Sequence, residues 1–483
     1  MRAPAFLRNS LLAMAVFGLV VAASRWASAA ENTRPNVLLI IADDLRNEMG
    51  CYGSPVAQTP RLDEFAATAV RFDKAYCQFP LCNPSRSSVL TGLRPTTVGV
   101  LGNRTWFGAT RPDAVSLVRH FKAHGYQTVR SGKIFHGGID DSQAWSVGGR
   151  PRYFGQDASA KPPVHRERNA DGRLLTKTER SDRWIVLPNE GRDHTDHKIA
   201  DRAVEYLRSN PTEPFFLTAG FHKPHSPLAA PQRFFDQFDP AEIELSPDYA
   251  PRPTVPEGFP AGSIRPSNAD LFVGRDSTPE SARKMIHAYL AASAWMDWNA
   301  GRVLDELEAQ GLADNTIVLF WGDHGYQLGE KGKWSKAGSL WEQGARTPLL
   351  IRDPRAAAAG AACPRVVEAL DIYPTLCDLC GLPIPEQLEG VSLARFLEDP
   401  DAASDRPAYT IWSADGKTVS GVCVRTERWR YAEFYGRGPG RMLTDPVNDP
   451  HELTNLADRP EHAELVARLS RLAQEYVAGH AAE

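Results

Sequence analysis

Residues 37–42 read V-L-L-I-I-A and run directly into Asp43 and Asp44. An unbroken apolar run of strand length fits a β-strand covered on both faces, and such strands belong to parallel sheets flanked by helices. The rest of the chain repeats the theme. Helical patterns are predicted over 60–70, 114–124, 197–209 and 281–310, and strand-like runs over 126–131, 214–221, 316–321 and 348–351. Gly125 and Gly311 close two of the helices. This order predicts an α/β sandwich with a large, mostly parallel sheet. Beyond residue 400 the pattern shifts to short strands at 408–412, 421–425 and 428–433, followed by an amphipathic helix over 461–478. A main domain over 30–400 and a smaller C-terminal α+β subdomain over 401–483 are therefore expected, and 483 residues suffice for both. Two long irregular stretches, 137–193 and 229–279, are rich in Pro, Gly and charge. Insertions of that length in a sheet protein usually wall a substrate pocket.

The N-terminus carries Arg2 and Arg8, an apolar run over 11–23 and the small residues Ala27-Ser28-Ala29. This is the pattern of a signal peptide over 1–29, which predicts export to the periplasm or the extracellular space. The run is short for a membrane span, so no stable span is expected after cleavage. The formal net charge of −4 gives no reason to expect a nucleic-acid partner. There are 7 cysteines, an odd number for an oxidising compartment. Cys377 and Cys380 form a C-x-x-C inside an apparent helix, where they read as small core residues. No second ligand pair is spaced to complete a zinc site with them.

Active sites in open α/β sheets form at the carboxyl ends of strands. Four polar clusters obey that rule here: Asp43-Asp44, Lys133 with His136, His222 with His225, and Asp323-His324. Any one alone reads as a solvated loop, and Asp43-Asp44 alone as a helix cap. Together the three carboxylates suit a hard divalent cation such as Ca²⁺. His324 is the odd member, because imidazole suits softer ions. Arg86, Lys133 and Lys336 would supply fixed positive charge for an anionic group, and His136 and His225 are candidate proton carriers. His222 has a second reading as a buried structural histidine.

Residues 82–92 read C-N-P-S-R-S-S-V-L-T-G. They match throughout the C-x-P-S-R-x-x-x-L-T-G signature of the type I, formylglycine-dependent sulfatases, and the chain resembles that family over roughly 34–457. The segments N-V-L-L-I-I-A-D-D-L-R, G-C-Y-G, S-G-K-I-F-H, G-F-H-K-P-H-S-P and D-H-G-Y-Q-L-G-E-K-G-K-W-S-K make it most similar to the iduronate-2-sulfatase-like members. The resemblance implies an alkaline-phosphatase-like fold. It implies that a maturation enzyme oxidises Cys82 to formylglycine, whose hydrate attacks sulfur. It implies one Ca²⁺ held by Asp43, Asp44, Asp323, His324 and residue 82. Arg86 would stabilise the formylglycine, Lys133 and Lys336 would hold sulfate, His136 would assist its release, and His225 would be the general acid. His222, Tyr326 and Trp334 would contact substrate, a sulfated oligosaccharide of the glycosaminoglycan type carrying the 2-O-sulfate of iduronate or a related uronic acid.

The chain departs from the family pattern at Tyr326, where Trp is usual, and at Ala337, where Tyr is usual. Both positions lie near the expected uronate pocket, so other substrates stay open: 6-O- or N-sulfates, algal polysaccharide sulfates, or choline sulfate. A phosphoesterase of the same superfamily and a carbohydrate-binding pseudoenzyme with unmodified Cys82 are the alternatives of other classes. The first lacks the usual Ser or Thr nucleophile, and the second sits poorly with a complete set of catalytic residue types.

Overall fold

The computed structural model describes residues 34–154, 160, 161, 167–169, 171–338, 340–436 and 438–479, and the segment read as a signal peptide lies outside them. Strand β1 (Asn36–Asp43) is buried along its whole length, as its composition requires. The strands that follow are β2 (Val70–Tyr76), β3 (Gln127–Gly132), β4 (Trp184–Leu187), β5 (Phe215–Pro224), β6 (Leu228–Pro231), β7 (Thr316–Gly322), β8 (Leu349–Arg352) and β9 (Ala362–Glu368). Seven of them form one sheet in the order β3-β5-β1-β7-β8-β2-β9. Neighbours are parallel except β8, which runs against both β7 and β2. Strands β4 and β6 form a separate parallel pair within the insertions.

Alternate residues of β1 feed two different cores. Val37, Leu39 and Ile41 pack with residues of α2 (Cys82–Thr91), α3 (Leu117–Ala123) and α6 (Ile372–Leu379). Leu38, Ile40 and Ala42 pack on the other face against α1 (Pro60–Ala66), α4 (Thr195–Arg208) and α5 (Pro279–Ala309). Each fully buried Leu or Ile side chain stabilises this sandwich by about 1.5–3 kcal/mol. Helix α5 begins where its sequence directs: Pro279 is its first residue, and the Thr278 side chain accepts the Ser281 N–H.

A second sheet is an antiparallel meander of β10 (Ala408–Trp412), β11 (Gly421–Arg425), β12 (Arg430–Phe434) and β13 (Gly440–Thr444). Helix α7 (Ala463–Gly479) covers it with Val466, Leu469, Ala473 and Tyr476. A buried ionic network joins this layer to the main sheet. Arg94, just past α2, donates to both oxygens of Glu368 at 2.8 and 2.9 Å. Its guanidinium lies 5.2 Å from the Tyr409 ring and 5.1 Å from the Tyr476 ring. Arg406 reaches Glu368 and Asp371, each at 2.7 Å.

The sandwich and the strands bearing the polar clusters match the sequence reading. The helix expected over 60–70 stops at Ala66, and its tail begins β2. Strand β2 escapes a reading based on apolar runs because Arg71, Asp73 and Lys74 are half-exposed along it. Strands β9 and β13 were likewise not foreseen. Cys377 and Cys380 are buried core residues, as expected, and no disulfide links the seven cysteines.

Candidate active site

The carboxyl ends of β1, β3, β5 and β7 converge with the N-terminus of α2. Cys82 is the first residue of that helix, and all ten residues of the helix are buried. The unsatisfied N–H groups and dipole of a helix start favour negative charge there. Ser85 donates to the Asp323 backbone carbonyl and so pins the helix to the end of β7. Gly132 and Gly220 explain how Lys133 arrives. Gly132 has φ +92°, and a Cβ on Gly220 would lie 2.0 Å from the Lys133 carbonyl oxygen. The tight crossing lets the Lys133 N–H donate to Gly220 at 2.8 Å and turns its side chain inward.

Ligand atoms of Asp43, Asp44, Cys82 and His324 all lie within 4.8 Å of one another. Asp44 has φ +65°, a left-handed conformation that Asp tolerates better than most residues. Its backbone N–H donates to Asp323 Oδ1 at 3.1 Å. Its Oδ2 takes Lys336 at 2.8 Å, while Oδ1 is buried and accepts no hydrogen bond. His324 Nδ1 lies 2.9 Å from the Gly325 carbonyl, a contact that turns Nε2 toward the cluster. Nε2 faces Cys82 Sγ at 3.3 Å and Asp44 Oδ1 at 3.5 Å. An orphaned carboxylate oxygen and a ring nitrogen aimed at each other fit a shared cation, and a backbone carbonyl orienting the imidazole is the usual support of a metal ligand. Asp323, expected as a further ligand, stands beside this group with Oδ1 3.5 Å from His324 Nε2. Its Oδ1 takes the Asp44 N–H, and its Oδ2 receives Arg86 Nε at 2.8 Å.

Around the cluster stand buried cations. Arg86 donates from Nη1 to the Lys133 and Ile134 carbonyls, and its Nη2, 3.7 Å from Asp43 Oδ1, makes no hydrogen bond. Lys133 pairs with Asp43 Oδ2. Burial alone would raise the Asp43 carboxyl, but Lys133, then His225, Arg86 and Lys336, hold it well below the usual carboxylate range. Burial first, and Asp43 second, push the Cys82 thiol well above its ordinary range. As a plain thiol it is a poor nucleophile. Its Sγ marks the place where the oxygen of a modified residue 82 would sit.

The mouth is rimmed by histidines. His225 Nδ1 lies 2.6 Å from the Ser226 carbonyl, and its Nε2 faces Asp44 Oδ2 at 3.9 Å. Burial and then Lys336 push this imidazole down to about 3. His136 is likewise pushed well below its ordinary value by burial and Lys133, and its Nδ1 has no hydrogen-bond partner. His222 is more exposed and is held by Asp196, whose oxygens also accept the His222 and Lys223 N–H groups.

Of the two aromatics expected at the substrate, Tyr326 lies beside the site, with Lys336 Nζ 5.9 Å from its ring, and Trp334 packs next to it. Trp334 is fully buried and packs on Phe272 at 4.9 Å between ring centroids. Tyr326 is 2% exposed, and its hydroxyl donates to the Trp334 carbonyl. Both sit in an apolar cluster with α5. Asp196 and Asp270 were missed by the sequence reading. Asp196 sits at the start of α4 and Asp270 in the second insertion, where no motif draws attention to them. Asp270 Oδ2 lies 3.5 Å from Lys336 Nζ.

Residues 35–382 match the sulfatase family model. The chain belongs to the sulfatase family. Residues 329–478 also match a model described as the C-terminal region of N-sulphoglucosamine sulphohydrolase. This sulfatase is 33% identical to a sulfatase of Formosa agariphila over 89% of this chain and 84% of that protein. It is 29% identical to human iduronate 2-sulfatase, over 85% and 86% of the two chains. The fold is that of the phosphonate monoester hydrolase of Agrobacterium radiobacter, with a TM-score of 0.73, 22% identity and coverage of 92% and 96%. A solved 2-O glycosaminoglycan sulfatase shares it too, with a TM-score of 0.68, 24% identity and 92% coverage of each chain. Both likenesses bear out the alkaline-phosphatase-like architecture. The sulfatase family normally uses a formylglycine and a divalent metal, and the Asp43, Asp44, Cys82 and His324 group is where this chain would hold the metal. Among the described residues no helix is long and apolar enough to cross a membrane.

Proposed function

We propose that this sulfatase is an exported enzyme that removes sulfate from a carbohydrate, acting through formylglycine at residue 82 on the 2-O-sulfate of a uronic acid. One observation carries the reaction class: the convergence of Cys82, Asp43, Asp44 and His324 at a helix N-terminus, ringed by Arg86, Lys133 and Lys336. Iduronate 2-sulfatases among the relatives support the substrate.

The hydrate of formylglycine at residue 82 would present two hydroxyls, one to attack sulfur and one to expel sulfate afterwards. A Ca²⁺ ion held by Asp43, Asp44, His324 and residue 82, with Asp323 at its edge, would lower the pKa of the attacking hydroxyl and polarise the ester. Lys133 and Lys336 are already ordered by carboxylates, so they meet sulfate without reorganisation and stabilise charge spreading over its oxygens. Arg86 Nη2 is a spare donor beside residue 82. His225 points Nε2 into the site from the β5 end. Burial and Lys336 keep it neutral there, so it would act as the acid only after taking up a proton as the negative charge of the sulfate ester enters beside it, and would then give that proton to the departing sugar oxygen. His136 would take up the proton that must leave residue 82 when sulfate is expelled.

Formylglycine is checked by the mass of the peptide carrying residue 82. The substrate is checked with uronic acid disaccharides sulfated at single positions, beside a phosphate ester. Preference for a 6-O- or N-sulfate refutes the 2-O assignment and keeps the sulfatase. Faster turnover of the phosphate ester refutes the reaction class.

A further inference from the structure

Building on that sulfatase chemistry, we infer that Asp270 is a specificity-determining residue. Its carboxylate accepts a hydrogen bond from a hydroxyl on the carbon next to the sulfate ester, so the pocket selects vicinal hydroxy-sulfates, the pattern a sugar ring presents. Asp270 Oδ2 lies 3.5 Å from Lys336 Nζ, and the same ammonium lies 2.8 Å from Asp44 Oδ2. One lysine therefore separates Asp270 from the metal-ligand cluster. Asp270 also contributes to the electrostatic environment of His225, the proposed proton donor to the leaving oxygen.

Its chemistry there is unspent. Oδ2 is buried and accepts no hydrogen bond, its partner being the Lys336 ammonium at ion-pair distance, 3.5 Å. Lone pairs held in a low-dielectric pocket without a donor cost free energy until one arrives. The loop that carries them is firmly built. Asn268 Oδ1 accepts the Trp334 N–H at 2.9 Å, Leu271 donates to the Trp334 carbonyl at 3.3 Å, and Lys333 donates to the Ser267 carbonyl at 3.0 Å. Two residues beyond Asp270, Phe272 is held at φ +48°, an unfavourable conformation for a bulky residue. Strain of this kind is sustained where the surrounding contacts fix a functional geometry.

The donor has to be neutral. A second sulfate or a uronate carboxylate has only acceptor atoms and would be repelled. A quaternary ammonium has no N–H, and it would meet the charge of Lys336 beside the same carboxylate. A hydroxyl supplies the missing proton at no cost in charge. One on the neighbouring carbon is only a few bonds from sulfur, a reach that matches two oxygens on either side of one ammonium. In a uronic acid 2-O-sulfate, the free hydroxyl at the adjacent position meets this demand, and the uronate carboxylate has to point elsewhere.

The test uses simple esters, so it does not depend on the natural sugar. The monosulfate of trans-1,2-cyclohexanediol, cyclohexyl sulfate and choline sulfate each compete with 4-nitrophenyl sulfate, and inhibition constants are read. In the wild-type enzyme the diol monosulfate should bind about tenfold or more tightly than either of the others, the discrimination expected of a hydrogen bond to a charged acceptor. In Asp270→Ala that ratio should collapse to within about twofold. In Asp270→Asn, which keeps an uncharged acceptor of the same shape and guards against misfolding of the alanine variant, it should fall to an intermediate value. A ratio that is absent in the wild type, that favours choline sulfate, or that persists in either variant overturns the inference. Absence of 4-nitrophenyl sulfate turnover in wild-type enzyme with converted residue 82 would instead overturn the sulfatase chemistry on which it builds.

Discussion

Glu368→Gln removes one charge from a site with no water to replace it. Glu368 is 1% exposed and receives both Arg94 nitrogens, Arg406 Nη2 at 2.7 Å and the Tyr409 N–H at 2.9 Å. Two guanidiniums share two carboxylates, Glu368 and Asp371, so the native network is neutral. Burial works against the Glu368 charge, but Arg94 and Arg406 hold its carboxyl below the ordinary value. The amide keeps the shape and one acceptor, turns its NH₂ toward a guanidinium, and leaves a net positive charge inside. Breaking a buried pair from one side costs roughly 3–5 kcal/mol. The Arg406 side chain is 28% exposed and can recover some hydration, so the lower end, about 3 kcal/mol, is expected. With an unfolding slope of at least about 3 kcal/mol per molar urea for a chain of this size, the midpoint should fall by up to about 1 M. The assay is urea unfolding followed by tryptophan fluorescence, with circular dichroism as a second probe. A shift below about 0.2 M would mean that the pair contributes almost nothing over its amide, and the reasoning about an unscreened charge would be wrong.

Four further outcomes are expected. Cys82→Ser should lose steady-state turnover by at least about a thousandfold, since serine has no second hydroxyl with which to expel sulfate, and unchanged turnover would exclude the proposed nucleophile. Chelation should abolish activity and added Ca²⁺ restore it, while His324→Ala should lower both metal content by elemental analysis and activity by at least about tenfold; an active metal-free preparation contradicts the site. His225→Ala should cost about a hundredfold or more on sugar sulfates but far less on 4-nitrophenyl sulfate, whose leaving group needs no acid, and equal losses would remove His225 from that role. Burial first, and Arg265 second, push the Lys333 ammonium down to about 7. Above that pH the native state has released a proton that the unfolded chain keeps until about 10.4, so stability should rise between pH 7 and about 10 by up to about 1.4 kcal/mol per unit, and Lys333→Met should flatten that rise in urea titrations.

Strands β1, β5 and β7 were legible because each is an apolar run that ends in polar residues, the mark of a buried strand entering a site, whereas the largely polar β3 was legible only as the segment following a helix closed by Gly125. The Cys82 helix was legible from its motif, and the lysines and histidines from their place just past strands. Strand β2 was hidden by its half-exposed charges. The depth at which Trp334 and Tyr326 sit was not legible, because an aromatic beside a catalytic lysine can face either the site or the core, and packing against α5 sets it. Asp323 shows the same limit at the scale of one carboxylate: its place after β7 was readable, its commitment to Arg86 and the Asp44 N–H was not. Asp270 carries no local signature at all, because an irregular insertion reaches the site by tertiary contacts alone.

The burial of the whole Cys82 helix also sets an order of events. Cys82 is 1% exposed, and Ser85, Arg86 and Leu90 are inaccessible. No second protein could grip the C-N-P-S-R segment in this state. If residue 82 is converted, conversion has to occur while the chain is still nascent or unfolded, before α2 docks against β1 and β7. Refolding the unmodified polypeptide in isolation would then seal in an inert thiol, and the yield of working enzyme would be decided by a race between modification and folding.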